Sequence, residues 1–138
     1  MSEIKKNKII YWTSTTLFVL PLTFSAILYL TGAPPMVQAL HSLGYPPYLL
    51  TILGLAKLLG AAAILSNRSE LLKEWAYAGF TFVLLAAAAS HLYSGQGPQS
   101  GAPIVIWLIS LVSYRFWKKT DLAEAVLAPM GLRGGVTT

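Results

Sequence analysis

The chain has 138 residues, room for one domain, and combines 55% hydrophobic with 11% charged residues at a mean hydropathy of +0.61. An average soluble domain carries about 25% charge, so this composition argues against an ordinary soluble enzyme, and its apolar excess excludes intrinsic disorder. There is no cysteine, which removes disulfides, thiolate metal sites, iron–sulfur ligation and thiol catalysis by this chain alone.

The first apolar stretch, 9–31, is long enough to cross a hydrocarbon core of about 30 Å, which takes about 20 helical residues. It follows a basic N-terminus as a secretory signal would. It is longer than the roughly 7–15 apolar residues of such a signal, however, and is read as a retained first span. Pro21 lies inside it and is expected to kink the helix or free a carbonyl; Ser25 and Tyr29 follow, one turn apart. Pro34 and Pro35 then precede Met36, Val37, Leu40 and Leu43 at helical spacing, stopping at Gly44. That pattern predicts a short interfacial helix capping a bundle.

The second span is predicted at 48–66 and the third at 75–93. On the third, Glu74, Tyr77, Thr81, Ala88 and His91 fall on one arc of the helical wheel, a candidate interior polar stripe. The Gly- and Pro-rich segment 94–102 is a turn. The fourth span, 103–117, is short, but Arg115, Lys118 and Lys119 can snorkel at its end. Its Trp107, Ser110, Tyr114 and Trp117 share a face. Asp121 and Glu124 have capping-box spacing and predict a separate short surface helix, with a Gly134-Gly135 tail beyond. The expected fold is all-α: a four-helix integral membrane bundle in residues 1–119, followed by a cytoplasmic tail in 120–138.

Charge placement orients it. Lys5, Lys6 and Lys8, Arg68 and Lys73, and Arg115, Lys118, Lys119 and Arg133 fall on one side, while the loops 32–47 and 94–102 hold no lysine or arginine. Short basic loops stay in the cytoplasm, so both termini are expected inside. No basic residue remains for a continuous stripe, so nucleic acid is not an expected partner; the lipid bilayer is.

Lys57 is the remaining cation, midway along the second span. A lysine facing lipid there costs about 2.5–3.5 kcal/mol on the insertion scale, and Gly54, Gly60 and Ala61 lie within a turn of it. It is therefore expected to face the bundle interior. Glu74, across the turn near Arg68, is the expected partner. The pair reads either as a register-fixing ion pair or as a tuned lysine touching a ligand in an interior cavity.

Other chemistry is thinner. His41 and His91 fall on the same side and could in principle hold a haem, but no spacing motif supports it. Zinc lacks further ligands, and no metal site is expected. There is no Ser–His–Asp set, phosphate loop or catalytic carboxylate pair.

The segments Leu43-Gly44-Tyr45-Pro46, Leu53-Gly54, Lys57-Leu58-Leu59-Gly60, Lys73-Glu74-Trp75-Ala76-Tyr77-Ala78-Gly79-Phe80 and Ser90-His91 resemble the DoxX-like family of bacterial small membrane proteins, from about Lys8 to Lys118. The resemblance implies a four-helix membrane bundle in the bacterial inner membrane and brings Lys57, Glu74 and His91 together as a polar signature. The broader group includes subunits associated with electron transfer to quinone. The expected function is binding of a small lipophilic ligand of quinone type in a polar intramembrane cavity. Lys57, Glu74, Tyr77, His91, Tyr29, Ser25 and Tyr114 are the candidate wall groups, with a homo-oligomer or a membrane redox partner as further company. Two other classes stay open: an intramembrane enzyme of isomerase type using Lys57, Glu74 or His91 for proton transfer, and a structural accessory subunit.

Overall fold

A computed structural model describes residues 2–131 and is helical throughout, with no strand among them. The long helices are α1 (Glu3–Leu30), α3 (Tyr48–Ser66), α4 (Glu70–Tyr93) and α5 (Gly101–Leu127), with a short α2 (Pro34–Ser42) between the first two. Short 3-10 turns, Gly97–Ser100 and Ala128–Met130, flank α5. Four segments are long and apolar enough to cross a membrane, as the sequence predicts. The chain is a multi-pass membrane protein.

Local chemistry explains the helix ends. Ser2 caps α1 by accepting the Lys5 N–H at 3.3 Å, and Ser69 caps α4 through the Leu72 N–H at 3.3 Å. Between α3 and α4, Asn67 adopts the left-handed conformation at φ 51°, which asparagine tolerates better than most residues. Only Asn67–Ser69 separates the two helices, so they run antiparallel side by side. Pro35 and Pro34 open α2, where missing N–H groups cost nothing.

Helix α1 carries Pro21 within one continuous element. One expectation on helix boundaries changes. The short helix predicted from Asp121 does not form separately: α5 runs unbroken from Gly101 to Leu127. Nothing between Trp117 and Asp121 breaks a helix, and Glu124 is an in-helix residue that pairs with Lys8 of α1 at 2.6 Å. Arg133 and the Gly134-Gly135 tail lie outside the described residues.

Helix α1 packs against α3 and α5, and α4 packs against the same two, so the four spans form a ring with α1 and α4 on opposite corners. The α1–α3 contact is close because Gly54 has no side chain: a Cβ there would lie 2.8 Å from Leu30 Cγ and 3.2 Å from the Ala26 carbonyl. On α3's other side, a Cβ on Gly60 would meet the Phe80 ring at 2.8 Å. Many large apolar side chains face outward, among them Leu20, Phe24, Leu59 and Phe82, while Ser14, Thr15, Lys57, Lys73, Ser110, Ser113 and Thr120 are buried. That arrangement suits lipid, where hydrocarbon outside is solvated and polar groups find partners within.

Candidate functional site

Lys57 faces inward and is 7% exposed. The Gly54 contact brings α3 near enough to α1 for its ammonium to donate to Ser25 Oγ at 3.0 Å and to sit 3.9 Å from the Tyr29 ring centroid. Ser25 donates in turn to the Leu22 carbonyl at 2.9 Å. An aromatic face attracts a cation, but neither Ser25 nor Tyr29 neutralises it. Among the described residues no carboxylate forms an ion pair with Lys57.

The expected Lys57–Glu74 pair is therefore corrected. Glu74 accepts from Tyr114 Oη at 3.0 Å and is ion-paired with Lys118, both on α5. Counting along two antiparallel helices places residues in depth but not around each axis. Lys57 turns toward α1 and Glu74 toward α5.

The ammonium borders a cavity of about 540 Å³. Its walls come from all four spans and from α2: Ser25 and Tyr29 on α1, Leu40 and Leu43 at the α2 end, Lys57 on α3, Ser90 and His91 on α4, and Pro103 and Ile106 on α5. The cavity lies between Lys57 and the end of the bundle that α2 covers. Its lining is mostly apolar with a few polar groups, and its volume lies in the range of about 300–1,000 Å³ of small-molecule sites.

The covering segment is tied down. Tyr45 Oη and Ser90 Oγ share a hydrogen bond at 2.7 Å. Gln96 donates to Ser42 Oγ at 3.1 Å, and its Oε1 lies 3.1 Å from His91 Nδ1. An amide oxygen only accepts, so Nδ1 carries the proton in this arrangement and Nε2 of a neutral ring is an acceptor. His91 lines the cavity, whereas His41 is exposed on α2 and is not among the walls. Among the described residues no three His, Cys, Asp or Glu side chains gather to hold a metal ion.

Of the candidate wall groups, Lys57, Ser25, Tyr29 and His91 thus meet at one cavity. Tyr77 and Tyr114 do not reach it. Tyr77 is in the core nearer the basic end, stacked on Trp117 at 5.7 Å and 12° and sharing a hydrogen bond with Ser113 Oγ at 2.7 Å. Ser113 also shares one with Thr15 Oγ1 at 2.6 Å. The buried face of α4 is Lys73, Tyr77, Phe80, Leu84 and Ala88, rotated by about one residue from the polar stripe read off the wheel, which leaves Glu74 and Thr81 only half-buried.

In the sequence Lys73 reads as a cation of the turn and as the start of the Lys73–Phe80 segment, with no inward role of its own. It is fully buried, donating to Tyr11 Oη at 3.0 Å and Asn67 Oδ1 at 2.8 Å, with its ammonium 4.1 Å from the Trp117 ring centroid. Its position one turn before Tyr77 on the inward face was the signal available. The two buried lysines differ in kind. Lys73 is enclosed by acceptors and an indole, while Lys57 opens onto space.

The model of one known family matches residues 13–113, most of the chain. The chain belongs to the DoxX-like family. The match covers α1 from Thr13 to α5 at Ser113, so Lys57, Glu74 and the cavity walls all fall inside the DoxX-like region, while the rest of α5 extends past it. No curated protein and no solved structure matches the chain.

Proposed function

We propose that this DoxX-like protein binds a small lipophilic molecule carrying a hydrogen-bond acceptor, of quinone type, in the cavity beside Lys57. The observation that carries the reading is a buried ammonium with no carboxylate partner at the edge of a mostly apolar cavity of about 540 Å³. A buried donor that is only partly satisfied gains most from a further acceptor, because water is scarce at that depth. A carbonyl or quinone oxygen supplies one without adding a full charge. Ser25 and Tyr29 hold the amine, and His91 with Ser90 offers polar contacts at the far end.

The protein would work in the bacterial inner membrane with both termini inside, since the basic residues gather at one end of the bundle. With no cysteine of its own, a redox role would run through the bound ligand and a membrane partner or a second copy. An accessory subunit locked in register by a Lys57–Glu74 pair is less favoured, because these two residues have separate partners.

The test is chemical analysis of protein purified gently from its native membrane. An apolar carbonyl compound present near one per chain, and lost from Lys57→Met of equal stability, supports the reading. Equal content in both proteins contradicts it.

A further inference from the structure

A second hollow, of about 270 Å³, runs along the seam between α3 and α4 toward the basic end. Its walls include Ala56, Gly60 and Ala63 on α3 and Trp75, Ala76 and Gly79 on α4. Two residues, Lys57 and Val83, belong both to this groove and to the cavity. The groove and the cavity therefore adjoin at Lys57 and Val83.

The groove's openness has no explanation in helix packing. Gly60 is required by the close approach of Phe80, but a Cβ built on Gly79 would meet nothing within 4 Å. Glycine inside a helix costs about 1 kcal/mol against alanine, and here no neighbour demands it. What its missing side chain does is keep the α4 wall of the groove clear. Trp75, 68% exposed, forms the wall near the basic end, where an indole can sit at the membrane interface.

We infer that the ligand is a tailed amphiphile, its acceptor-bearing head in the cavity at Lys57 and its hydrocarbon chain laid along the α3–α4 groove past Val83 and Gly79 toward Trp75. This rests on the reading of the cavity given above and adds the substrate class: a head group with a linear chain rather than a compact lipophile. The amine at the junction favours the acceptor end on the cavity side, and the apolar groove wall, with few polar groups beyond Lys57, favours hydrocarbon. Chain and head would enter together from the lipid through the seam, with no need to open the segment covering the other end.

The probes are a benzoquinone bearing a decyl chain and the same ring without it, titrated into the full chain in lipid nanodiscs with concentrations counted per lipid. The wild type is expected to bind the decyl form about threefold to tenfold more tightly, the scale of packing contacts within a membrane. Gly79→Leu, whose Cβ would meet nothing within 4 Å, projects into the groove and should abolish that preference while leaving the bare ring's affinity unchanged. Ala56→Leu, on the exposed facing wall, should do the same and guards against a folding defect in the first variant. An unchanged preference in both variants, or equal weakening of both probes, overturns the tail assignment while the cavity reading stands. If neither probe binds the wild type, the cavity reading fails and the tail assignment with it.

Discussion

The Lys57 ammonium lies 3.9 Å from the centre of the Tyr29 ring and donates to Ser25 Oγ at 3.0 Å, so a full charge in mid-span is held by two neutral groups of α1. That arrangement leaves a donor under-satisfied at the edge of a cavity, and it gives Lys57 a different energetic standing from every other lysine in the chain.

Replacing Lys57 with methionine keeps the unbranched stem and removes a charge that no carboxylate balances. Lys57→Met is expected to be as stable as the wild type or more so, with a gain on the order of 1–3 kcal/mol from the charge no longer buried. Thermal unfolding in mild detergent measures it. A clear loss of stability would mean that the amine is a structural tie.

Lys73→Met should behave in the opposite way. The substitution leaves Tyr11 Oη and Asn67 Oδ1 without their donor and removes the cation from the Trp117 face. A loss of about 1–3 kcal/mol is expected from the stranded buried hydroxyl of Tyr11, read in the same unfolding experiment. Ligand binding by the protein that remains folded should match the wild type.

The Tyr77–Ser113–Thr15 hydroxyl chain lies in the core and away from the cavity walls. Tyr77→Phe is expected to cost about 1 kcal/mol of stability with no change in affinity for a quinone-type probe. A selective loss of affinity would bring Tyr77 back into the binding site.

Gly60→Ala drives a methyl group to within 2.8 Å of the Phe80 ring. Overpacking of this kind costs about 1–3 kcal/mol. Phe80→Leu in the same chain should recover part of that loss, and a double-mutant cycle on unfolding free energies measures the coupling. Purely additive effects would mean that the ring moves aside freely.

The spans were legible in the sequence because long apolar runs and the one-sided distribution of lysine and arginine are strong, local signals. Lys57's inward direction was legible too, since Gly54, Gly60 and Ala61 mark the face on which helices approach. Its partner was not. Depth along two antiparallel helices follows from counting residues, but which neighbour a side chain meets depends on helix rotation, set by contacts such as Gly54 against Leu30 and Ala26. The same ambiguity groups Glu74, Tyr77 and Tyr114 with Lys57, whereas Glu74 and Tyr77 of α4 turn to Tyr114 and Ser113 of α5, away from the cavity. Lys73 was masked by the positive-charge pattern it belongs to, because a cation near a short turn looks the same in sequence whether it meets lipid head groups or an indole.

The most direct test of the amine's role is magnetic resonance of isotope-labelled lysine side chains in nanodiscs, with the Lys57 and Lys73 ammonium signals assigned through their methionine variants. On saturation with a quinone-type ligand, the Lys57 signal should shift while that of Lys73, closed in its own cage, stays in place. A Lys57 signal that does not move at saturation, or one that moves no more than Lys73, would contradict the account.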